Sequence, residues 1–267
     1  MGEYDKYFNT NKALWDSKTP IHIDSKFYDM DAFMKGANSL RRIELAEIPD
    51  VQGKKILHAQ CHFGQDTLSL ERMGAKCTGI DLSGEAIRSA RKFRDELGLN
   101  SRFIECNIYD LEAHVDDVFD MVFTSYGVIA WLPDLDKWAE ILCNRLKEGG
   151  IFYMAEFHPV LYMFDWEKKR LEYEYFNNGE AKMEINSGTY VDSDADIELK
   201  EYFWQHSLSE VISALLKAGM TIRQFNEYDY SPYNCFENME FEGEQHFVYR
   251  QNGIALPHVF TILCEKR

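Results

Sequence analysis

The sequence lacks the features of a membrane protein and of a disulfide-stapled secreted protein. No apolar run approaches the roughly 20 residues that a membrane-spanning helix needs, and the first residues carry no basic-then-apolar signal pattern. The six cysteines form no CxxC pair and show no metal-ligand spacing. We therefore expect a cytoplasmic protein with reduced thiols, no membrane association and no metal site.

Basic residues are also scarce. The chain has 29 Lys and Arg against 45 Asp and Glu, a formal net charge of -16. Such a field repels a phosphate backbone unless a local basic patch overrides it, so nucleic acid is not an expected partner. A length of 267 residues, 45% of them hydrophobic, suffices for one α/β core with an insertion or for two small domains. The oligomeric state stays open.

Short apolar runs alternate with amphipathic stretches through most of the chain. This rhythm predicts a parallel sheet with helices on both faces. The predicted strands are 56–59, 76–81, 102–106, 118–124, 151–156, 221–225 and 258–265.

Two segments depart from this rhythm. Residues 1–50 precede the first strand and form a predicted N-terminal cap extension, rich in aromatic residues, before a main domain at 51–267. Within that domain, residues 158–206 contain no clear amphipathic helix and are too long for an ordinary loop, so they are predicted to be an inserted cap segment. A long aromatic connection follows the sixth strand without a crossover helix, which an antiparallel return permits.

The turn after the first strand points to a nucleotide. It contains Gly64 and leads into a helix, whose N-terminus offers unpaired backbone N–H groups. The next strand ends at Asp81, whose carboxylate can bind ribose hydroxyls. The segment therefore predicts an adenosine-containing cofactor.

At this point the sequence resembles the seven-stranded, class I S-adenosylmethionine-dependent methyltransferases, from about Lys54 to Arg267. The match rests on five elements in order: the first-strand turn at 56–64, Asp81, Asn107-Ile108, the fourth-strand motif at 119–122, and 146–150 before strand five. The resemblance implies a three-layer Rossmann-like α/β fold. Its seven-stranded, mostly parallel sheet has strand order 3-2-1-4-5-7-6 and an antiparallel last strand.

The turn departs from the family pattern. His58 replaces the usual acid, while Gln60 and His62 replace two of the three glycines. Their loss removes the usual allowance for positive φ and for close backbone approach. The pattern Q-C-H-x-G is similar to a subset of the superfamily.

The resemblance implies a set of cofactor-binding residues at the strand ends. For Asn107 two roles stay open, contact with adenine or capping of a turn. His62, Gln60 or Asp66 contacts the amino or carboxylate group of the cofactor, and a structural role for His62 also stays open. The set is Gln60, Cys61, His62, Phe63, Gly64, Asp66, Asp81, Leu82, Asn107, Ile108, Ser125 and Tyr126.

Candidate catalytic residues follow strand five. A general base is needed only where the acceptor must lose a proton, and His158 has a suitable intrinsic pKa. Glu156 could orient His158 or the acceptor, and His206 is the reserve candidate. The alternative for His158 is a turn residue before proline.

These features predict an enzyme that transfers a methyl group in line from S-adenosylmethionine to a small organic acceptor, with S-adenosylhomocysteine as product. A non-catalytic binder of either sulfur ligand, a protein that has lost the cofactor site, and a protein or nucleic-acid methyltransferase stay open as alternatives. A nicotinamide-dependent oxidoreductase would need G-x-G-x-x-G after strand one, which is absent.

Overall fold

The computed structural model describes residues 4–165, 170–236 and 238–267. Part of the predicted inserted segment, residues 166–169, therefore lies outside the described residues. The α-helices of the described residues are α1 (Asp5–Asp24), α2 (Met30–Met34), α3 (Arg42–Glu47), α4 (Gln65–Arg72), α5 (Gly84–Glu96), α6 (Leu135–Arg145) and α7 (Leu208–Lys217).

The strands form one large sheet and several small hairpins. In chain order they are β1 (Lys55–Ala59), β2 (Lys76–Asp81), β3 (Arg102–Glu105), β4 (Phe119–Ser125), β5 (Leu146–Phe157), β6 (Phe164–Asp165), β7 (Arg170–Leu171), β8 (Lys182–Ser187), β9 (Glu198–Phe203), β10 (Met220–Tyr228), β11 (Glu240–Gly243), β12 (His246–Val248), β13 (Arg250–Gln251), β14 (Ile254–Ala255) and β15 (Val259–Lys266).

The large sheet has seven strands in the order β10-β15-β5-β4-β1-β2-β3. Strand β1 pairs in parallel with β2 and β4, whereas β15 pairs antiparallel with both β5 and β10. This confirms the predicted Rossmann-like fold, the strand order and the antiparallel last strand. From β1 the chain adds β2 and β3 on one side of the sheet and then β4 and β5 on the other, so the strand order reverses beside β1. Open α/β sheets bind ligands at such a point, outside the carboxyl ends of the strands.

Helices cover both faces of the sheet, because its central strands are apolar on both sides. On one face Trp138 of α6 and Leu215 of α7 are fully buried against Val122 and Phe152. On the other face α4 and α5 pack beside β2 and β3. Ser83 caps α5, its hydroxyl accepting a hydrogen bond from Ala86 N.

The N-terminal helix and the segment after β5 meet over the carboxyl ends of the strands. Strands β8 and β9 form an antiparallel hairpin, and α1 lies across β9. Lys18 of α1 makes a largely buried ion pair with Glu201 of β9 at 3.2 Å. The boundaries at residues 50, 158 and 206 stay predictions.

Within the described ranges, none of the helices combines the length and the apolar character that crossing a membrane requires.

Candidate active site

A cavity of about 1080 Å³ lies where the parallel strands end. Its wall includes the turn after β1, the end of β2, the residues that follow β3 and the end of β4. All of the predicted cofactor-binding residues, from Gln60 to Tyr126, line this one cavity. The structure thus brings the set together, and the individual binding roles stay predictions.

The β1–α4 turn has left-handed backbone at Gly64 and also at the two positions where glycine is replaced. Gln60 and His62 have φ of 58° and 51°, and Gly64 has φ of 79°. Left-handed backbone is uncommon for residues other than glycine because the Cβ atom crowds the backbone. The expectation that losing the glycines removes positive φ is therefore wrong for the backbone, which accepts two side chains at these positions.

Hydrogen bonds hold this turn in place. Cys61 N donates to Ile80 O at 2.8 Å, and Gly64 N donates to Cys61 O at 2.9 Å. The Gln60 side chain donates from Nε2 to Val128 O at 3.0 Å. These contacts to β2 and to the β4 loop offset the cost of the left-handed conformation.

Gly64 is the position that only glycine fits. A Cβ atom there would lie 2.6 Å from the Phe103 ring and 3.0 Å from Ala90 Cβ. The helix α4 can therefore begin close against α5 and β3, and Gln65 and Asp66 of its first turn line the cavity.

Asp81 is fixed by two backbone donors. Its Oδ2 accepts from His62 N and its Oδ1 from Ser83 N, both at 2.8 Å. Burial raises the pKa of this carboxyl to about 6. A carboxylate has about four acceptor directions, so two remain for hydroxyl groups of a ligand in the cavity.

Asn107 caps a turn. Its Oδ1 accepts from Tyr109 N at 3.1 Å at the start of a short 3-10 helix, Ile108–Ala113. The oxygen is thereby engaged, and its amide Nδ2 is left as the side-chain group for a ligand. Two roles were left open for Asn107, and its hydrogen bond with Tyr109 N is that of a turn cap.

Asp66 lies at the other polar part of the cavity, in the first turn of α4. Ser39 Oγ donates to its Oδ1 at 2.6 Å, and Ser125 Oγ donates to its Oδ2 at 3.3 Å. Arg41 also lines the cavity, with its guanidinium 4.6 Å from the centre of the Tyr233 ring. Burial acts to lower the pKa of Arg41, but Tyr233 and Asp66 raise it above its usual value.

A buried acid accompanies Arg41. Glu44 is fully buried and accepts from Tyr126 OH at 3.0 Å. Burial, together with the charge of Asp66, raises the pKa of Glu44 to about 7. Glu44 does not line the cavity, so the charged groups that a ligand meets here are the guanidinium of Arg41 and the carboxylate of Asp66, a pair that suits a zwitterionic amino acid group.

Three lining side chains have buried polar atoms without a partner among the described residues: Arg41 Nε, Gln60 Oε1 and His62 Nε2. Burial lowers the pKa of His62 to about 3, so its ring is neutral near pH 7. Trp15 of α1 lies across the ring of His62 at 5.4 Å and contacts Trp131 at 5.3 Å. Buried polar atoms are nearly always hydrogen-bonded, so this arrangement fits a polar ligand.

Glu156, a candidate catalytic residue, does not line the cavity. It is fully buried, and its carboxylate accepts from the backbone N–H groups of Gly127, Val128 at 2.8 Å and Ile129 at 3.3 Å. Burial raises its pKa, while these same bonds act to lower it. The carboxylate thus fixes the turn after β4, and its catalytic role stays a prediction.

His158 and His206 also lie outside the lining of the cavity. His158 Nε2 lies 2.9 Å from Glu227 Oε1, and its Nδ1 accepts from Val160 N at 3.2 Å. His206 Nε2 donates to Leu132 O at 2.8 Å, and its Nδ1 lies 3.0 Å from Glu210. Both rings have their nitrogens engaged in contacts that hold the fold, so neither is placed to take a proton from a ligand in the cavity.

The sequence analysis missed lining residues that lie before β1. Ser39, Arg41 and Trp15 belong to no recognisable motif. The aromatic content of residues 1–50 was the available signal, but nothing in the sequence ties position 41 to the end of β4.

Comparison with known proteins places this fold and cavity in a defined group. The model of the family described as "Methyltransferase domain" matches residues 50–212. Among curated proteins, a Ubiquinone biosynthesis O-methyltransferase from Xanthomonas euvesicatoria is 26% identical over 136 residues, which is 50% of this chain and 56% of that protein. One of the same name from Pasteurella multocida is 26% identical over 172 residues, 60% of this chain and 65% of that protein. The chain thus spans less than two thirds of the length of these relatives.

Solved structures share the fold. An S-adenosylmethionine-dependent methyltransferase from Clostridium acetobutylicum aligns with a TM-score of 0.58 and 15% identity over 96% of this chain and 98% of the other. One from Mesorhizobium loti aligns with a TM-score of 0.57 and 17% identity over 87% of this chain and all of the other. At these identities the likeness concerns the fold alone.

Proposed function

Since the chain belongs to the methyltransferase domain family, we propose that it transfers the methyl group of S-adenosylmethionine to a small organic acceptor by in-line displacement. Membership confirms the resemblance of the sequence to the methyltransferases, while the narrower Q-C-H-x-G subset stays a prediction. The observation that carries the proposal is the carboxylate of Asp81, fixed by His62 N and Ser83 N at the end of β2 and facing the cavity.

The residues of the cavity fit S-adenosylmethionine. Asp81 retains acceptor directions for ribose hydroxyls, and Asn107 and Ile108 lie beside it for the adenine. Asp66 and Arg41 offer opposite charges for the ammonium and carboxylate groups of the methionine part. The unpartnered atoms Gln60 Oε1 and His62 Nε2 gain partners when a polar ligand is present.

When bound, S-adenosylmethionine supplies an electrophilic methyl group on a cationic sulfur. The chain's own contribution is position and exclusion of water. Aromatic rings from α1 and from the segments that follow β5 and β10 line the cavity, and ring faces accommodate a cation. Holding two reactants at attack distance in such a site can lower the barrier by several kcal/mol, about 7–11 in favourable cases.

A small organic acceptor is supported by the names of the curated relatives and by the net charge of the chain. The curated relatives are named as O-methyltransferases of ubiquinone biosynthesis. The net charge of -16 disfavours an RNA or DNA acceptor. The contacts of Glu156, His158 and His206 favour structural roles for all three, so we propose that transfer relies on positioning and not on these residues as bases.

Titration calorimetry tests the proposal. We expect S-adenosylmethionine and S-adenosylhomocysteine to bind with micromolar affinity, and NAD not to bind. Asp81→Asn removes one charge and keeps an oxygen for only one of the two backbone donors. We expect it to weaken both sulfur ligands at least tenfold. Asp116→Asn, an exposed acid, serves as the matched control.

Failure of the native protein to bind either sulfur ligand would contradict the methyltransferase proposal. Binding without turnover on a broad acceptor panel would instead favour a non-catalytic binding protein.

A further inference from the structure

The cavity has a second wall, which the residues that fit the cofactor do not provide. Those residues belong to the turn after β1, to the ends of β2, β3 and β4 and to Arg41. The segment after β5 supplies the second wall, and Tyr162 and Gln205 are among its lining residues. A methyl transfer needs room for two reactants, so this wall is the place to search for groups that bind the acceptor.

Gln205 provides an acceptor atom in the second wall. The residue is 6% exposed, and its Nε2 donates to Tyr162 O at 3.0 Å. Because a carbonyl oxygen pairs only with a donor, this bond fixes the orientation of the amide and leaves Oε1 as an acceptor. No hydrogen bond to Oε1 is found within the described residues. Buried amide oxygens are nearly always hydrogen-bonded, so Oε1 is suited to a donor on a ligand.

The hydroxyl of Tyr162 is the second polar group of this wall. It has no hydrogen-bond partner in the part of the chain that the structure describes. It lies beside Gly127, 3.9 Å from the position that a Cβ atom would take there. Gly127 belongs to the loop after β4 and also lines the cavity. The Tyr162–Gln205 pair, joined by the bond from Gln205 Nε2, therefore lies next to the part of the cavity that fits the cofactor.

Aromatic rings accompany the pair. The centre of the Phe236 ring lies 5.1 Å from that of Phe157 and 6.2 Å from that of Tyr162. The Tyr126 ring lies 5.2 Å from Phe157, and all of these residues line the cavity. Ring faces carry negative partial charge and attract cations, so this wall is suited to a positively charged group.

A negative charge acts on the pair. Glu156 is buried, and its carboxylate accepts from the backbone N–H groups of residues 127–129 and of Phe157. Such bonds favour the ionised carboxylate, and none of these donors carries a charge to balance it. Burial raises the pKa of the Tyr162 hydroxyl well above its usual value, and the charge of Glu156 adds to this shift. The electrostatic field at the hydroxyl is therefore one that favours a cation.

The cations of the cavity are engaged by acids. Among the described lining residues they are Lys18 and Arg41. Lys18 is paired with Glu201 at 3.2 Å, and the charge of Asp66 helps to raise the pKa of Arg41. An anionic acceptor would therefore meet no uncommitted cation among these residues.

Glu184 adds an acid without a cation beside it. It lies on β8 and lines the cavity. Its carboxylate accepts from Tyr173 OH and, at 3.2 Å, from Asn186 Nδ2, which are both neutral donors. Its charge favours a cationic ligand over a neutral one.

From these contacts, and resting on the proposed function, we infer that the Tyr162–Gln205 pair binds the methyl acceptor and that this acceptor is a small organic amine. Its ammonium group donates to Gln205 Oε1 and to the Tyr162 oxygen and lies against the neighbouring rings. Tyr162 and Gln205 are thereby specificity-determining residues.

The transfer to an amine needs no base from the protein. The ammonium group first loses one proton to water, which leaves a lone pair on nitrogen. The nitrogen then forms a bond to the methyl carbon while the carbon–sulfur bond breaks and its electron pair stays on sulfur. The product is a methylated ammonium ion. This scheme agrees with the contacts of His158 and His206, whose ring nitrogens are engaged away from the cavity.

Fluorescence titration with three probes of similar shape tests the inference, because Trp15 and Trp131 line the cavity and report on its occupancy. The probes are benzylamine, a cation, benzyl alcohol, which is neutral, and benzoate, an anion, each added to protein saturated with S-adenosylhomocysteine. We expect benzylamine to bind at least about threefold more tightly than benzyl alcohol and at least about tenfold more tightly than benzoate.

Two variants test the pair itself. Tyr162→Phe removes the hydroxyl and Gln205→Met removes the amide at similar length. Each should weaken benzylamine at least about threefold and benzyl alcohol by less, because a hydrogen bond to a charged group contributes more than a neutral one. The affinity for S-adenosylhomocysteine should not change. Tyr202→Phe is the control, since it removes a hydroxyl from β9 at a residue outside the cavity lining, and circular dichroism checks that all three variants fold.

Four results would overturn the inference. They are binding of benzyl alcohol or benzoate as tight as that of benzylamine, indifference of benzylamine to both variants, equal losses of amine and alcohol in the variants, and loss of S-adenosylhomocysteine binding in Tyr162→Phe. Equal losses would mean that the pair only supports the wall. A pentapeptide with one lysine is the further probe, and its binding more tightly than benzylamine would overturn the choice of a small amine over a protein side chain.

The inference and the proposed function fail separately. If the native protein does not bind S-adenosylhomocysteine, the proposed function fails first. If it does and the benzylamine results are negative, the inference alone is wrong.

Discussion

The side-chain amide of Asn11 pairs with the backbone of Tyr202. Nδ2 donates to the Tyr202 carbonyl at 2.7 Å, and Oδ1 accepts from Tyr202 N at 2.9 Å. One side chain thus occupies both backbone groups at the edge of β9, as a neighbouring strand would. Because α1 and β9 belong to the two segments that cover the cavity, this pair couples them.

Asn11→Ala should therefore loosen the cover of the cavity. Asn11 is 2% exposed, and losing its two hydrogen bonds at a buried backbone should cost about 1–3 kcal/mol of unfolding free energy. We expect weaker S-adenosylhomocysteine binding as well, because α1 also carries Trp15. Urea unfolding and calorimetry measure the two effects, with the exposed Asn9→Ala on the same helix as control. Equal stability of the two variants would contradict this account of the pair.

Gly64→Ala should be the most damaging single change in the turn. It combines left-handed backbone at φ of 79° with a Cβ 2.6 Å from the Phe103 ring. Gly98→Ala provides the matched control, because Gly98 has φ of 65° and open space around its Cβ position. We expect about 1–2 kcal/mol of destabilisation for Gly98→Ala from backbone strain, and about 1–3 kcal/mol more for Gly64→Ala from overpacking. If both variants lose the same free energy of unfolding in urea, the Phe103 ring moves aside for the added Cβ without a measurable cost.

The pH dependence of cofactor binding should follow Asp81. Burial holds the pKa of this carboxyl at about 6 in the free protein, above the ordinary aspartate value of 3.8. A raised carboxyl pKa means that the fold is favoured by protonation, and that the associated stability is lost as the pH rises through 6. Ligand binding has the opposite sign, because ribose hydroxyls donate to the ionised form.

From pH 7 to pH 5 the affinity for S-adenosylhomocysteine should fall by about tenfold, following the ionised fraction. Asp81→Asn should flatten this dependence, and calorimetry at several pH values measures both. A fall of the same size in the variant would assign the pH dependence to another group, such as Glu44, whose pKa is about 7.

The fold was predictable because its signals are local. The sequence alternates apolar runs of strand length with helical stretches, and it marks helix ends with the cap at Ser83 and with glycines. The structure places each strand close to its predicted bounds. Strand β5 is longer than predicted because Leu146 pairs with Phe119 of β4, a contact that no local pattern carries.

The site was predictable only in part. The residues implied by the strand-end motifs all line the cavity, since the topology of a parallel sheet fixes where strand ends lie. The catalytic candidates failed to reach it because the direction of a side chain depends on tertiary contacts. The carboxylate of Glu156 hydrogen-bonds to the backbone of the loop after β4. Arg41 and Tyr190 line the cavity but belong to segments whose sequence contains no motif.

Arg41 offers the most specific test of how the altered turn holds a cofactor. With two of three glycines absent, the backbone cannot be assumed to hold the methionine part, and Arg41 is the lining cation beside Asp66. We expect Arg41→Met to weaken S-adenosylmethionine at least about tenfold, because a charge-assisted hydrogen bond contributes about 1.5–3 kcal/mol. Competition calorimetry measures this, with the exposed neighbour Arg42→Met as control.

The decisive comparison uses 5′-methylthioadenosine, which keeps the adenosine and the sulfur but lacks the amino and carboxylate groups. If Arg41 holds the carboxylate, Arg41→Met leaves the affinity for 5′-methylthioadenosine unchanged while that for S-adenosylmethionine falls. Parallel losses for both ligands would mean that Arg41 supports the cavity wall through Tyr233, and the methionine part would then depend on Asp66, Gln60 and His62. Because the two ligands differ only in the methionine part and its sulfonium, the ratio of their affinities separates recognition from folding in a single variant.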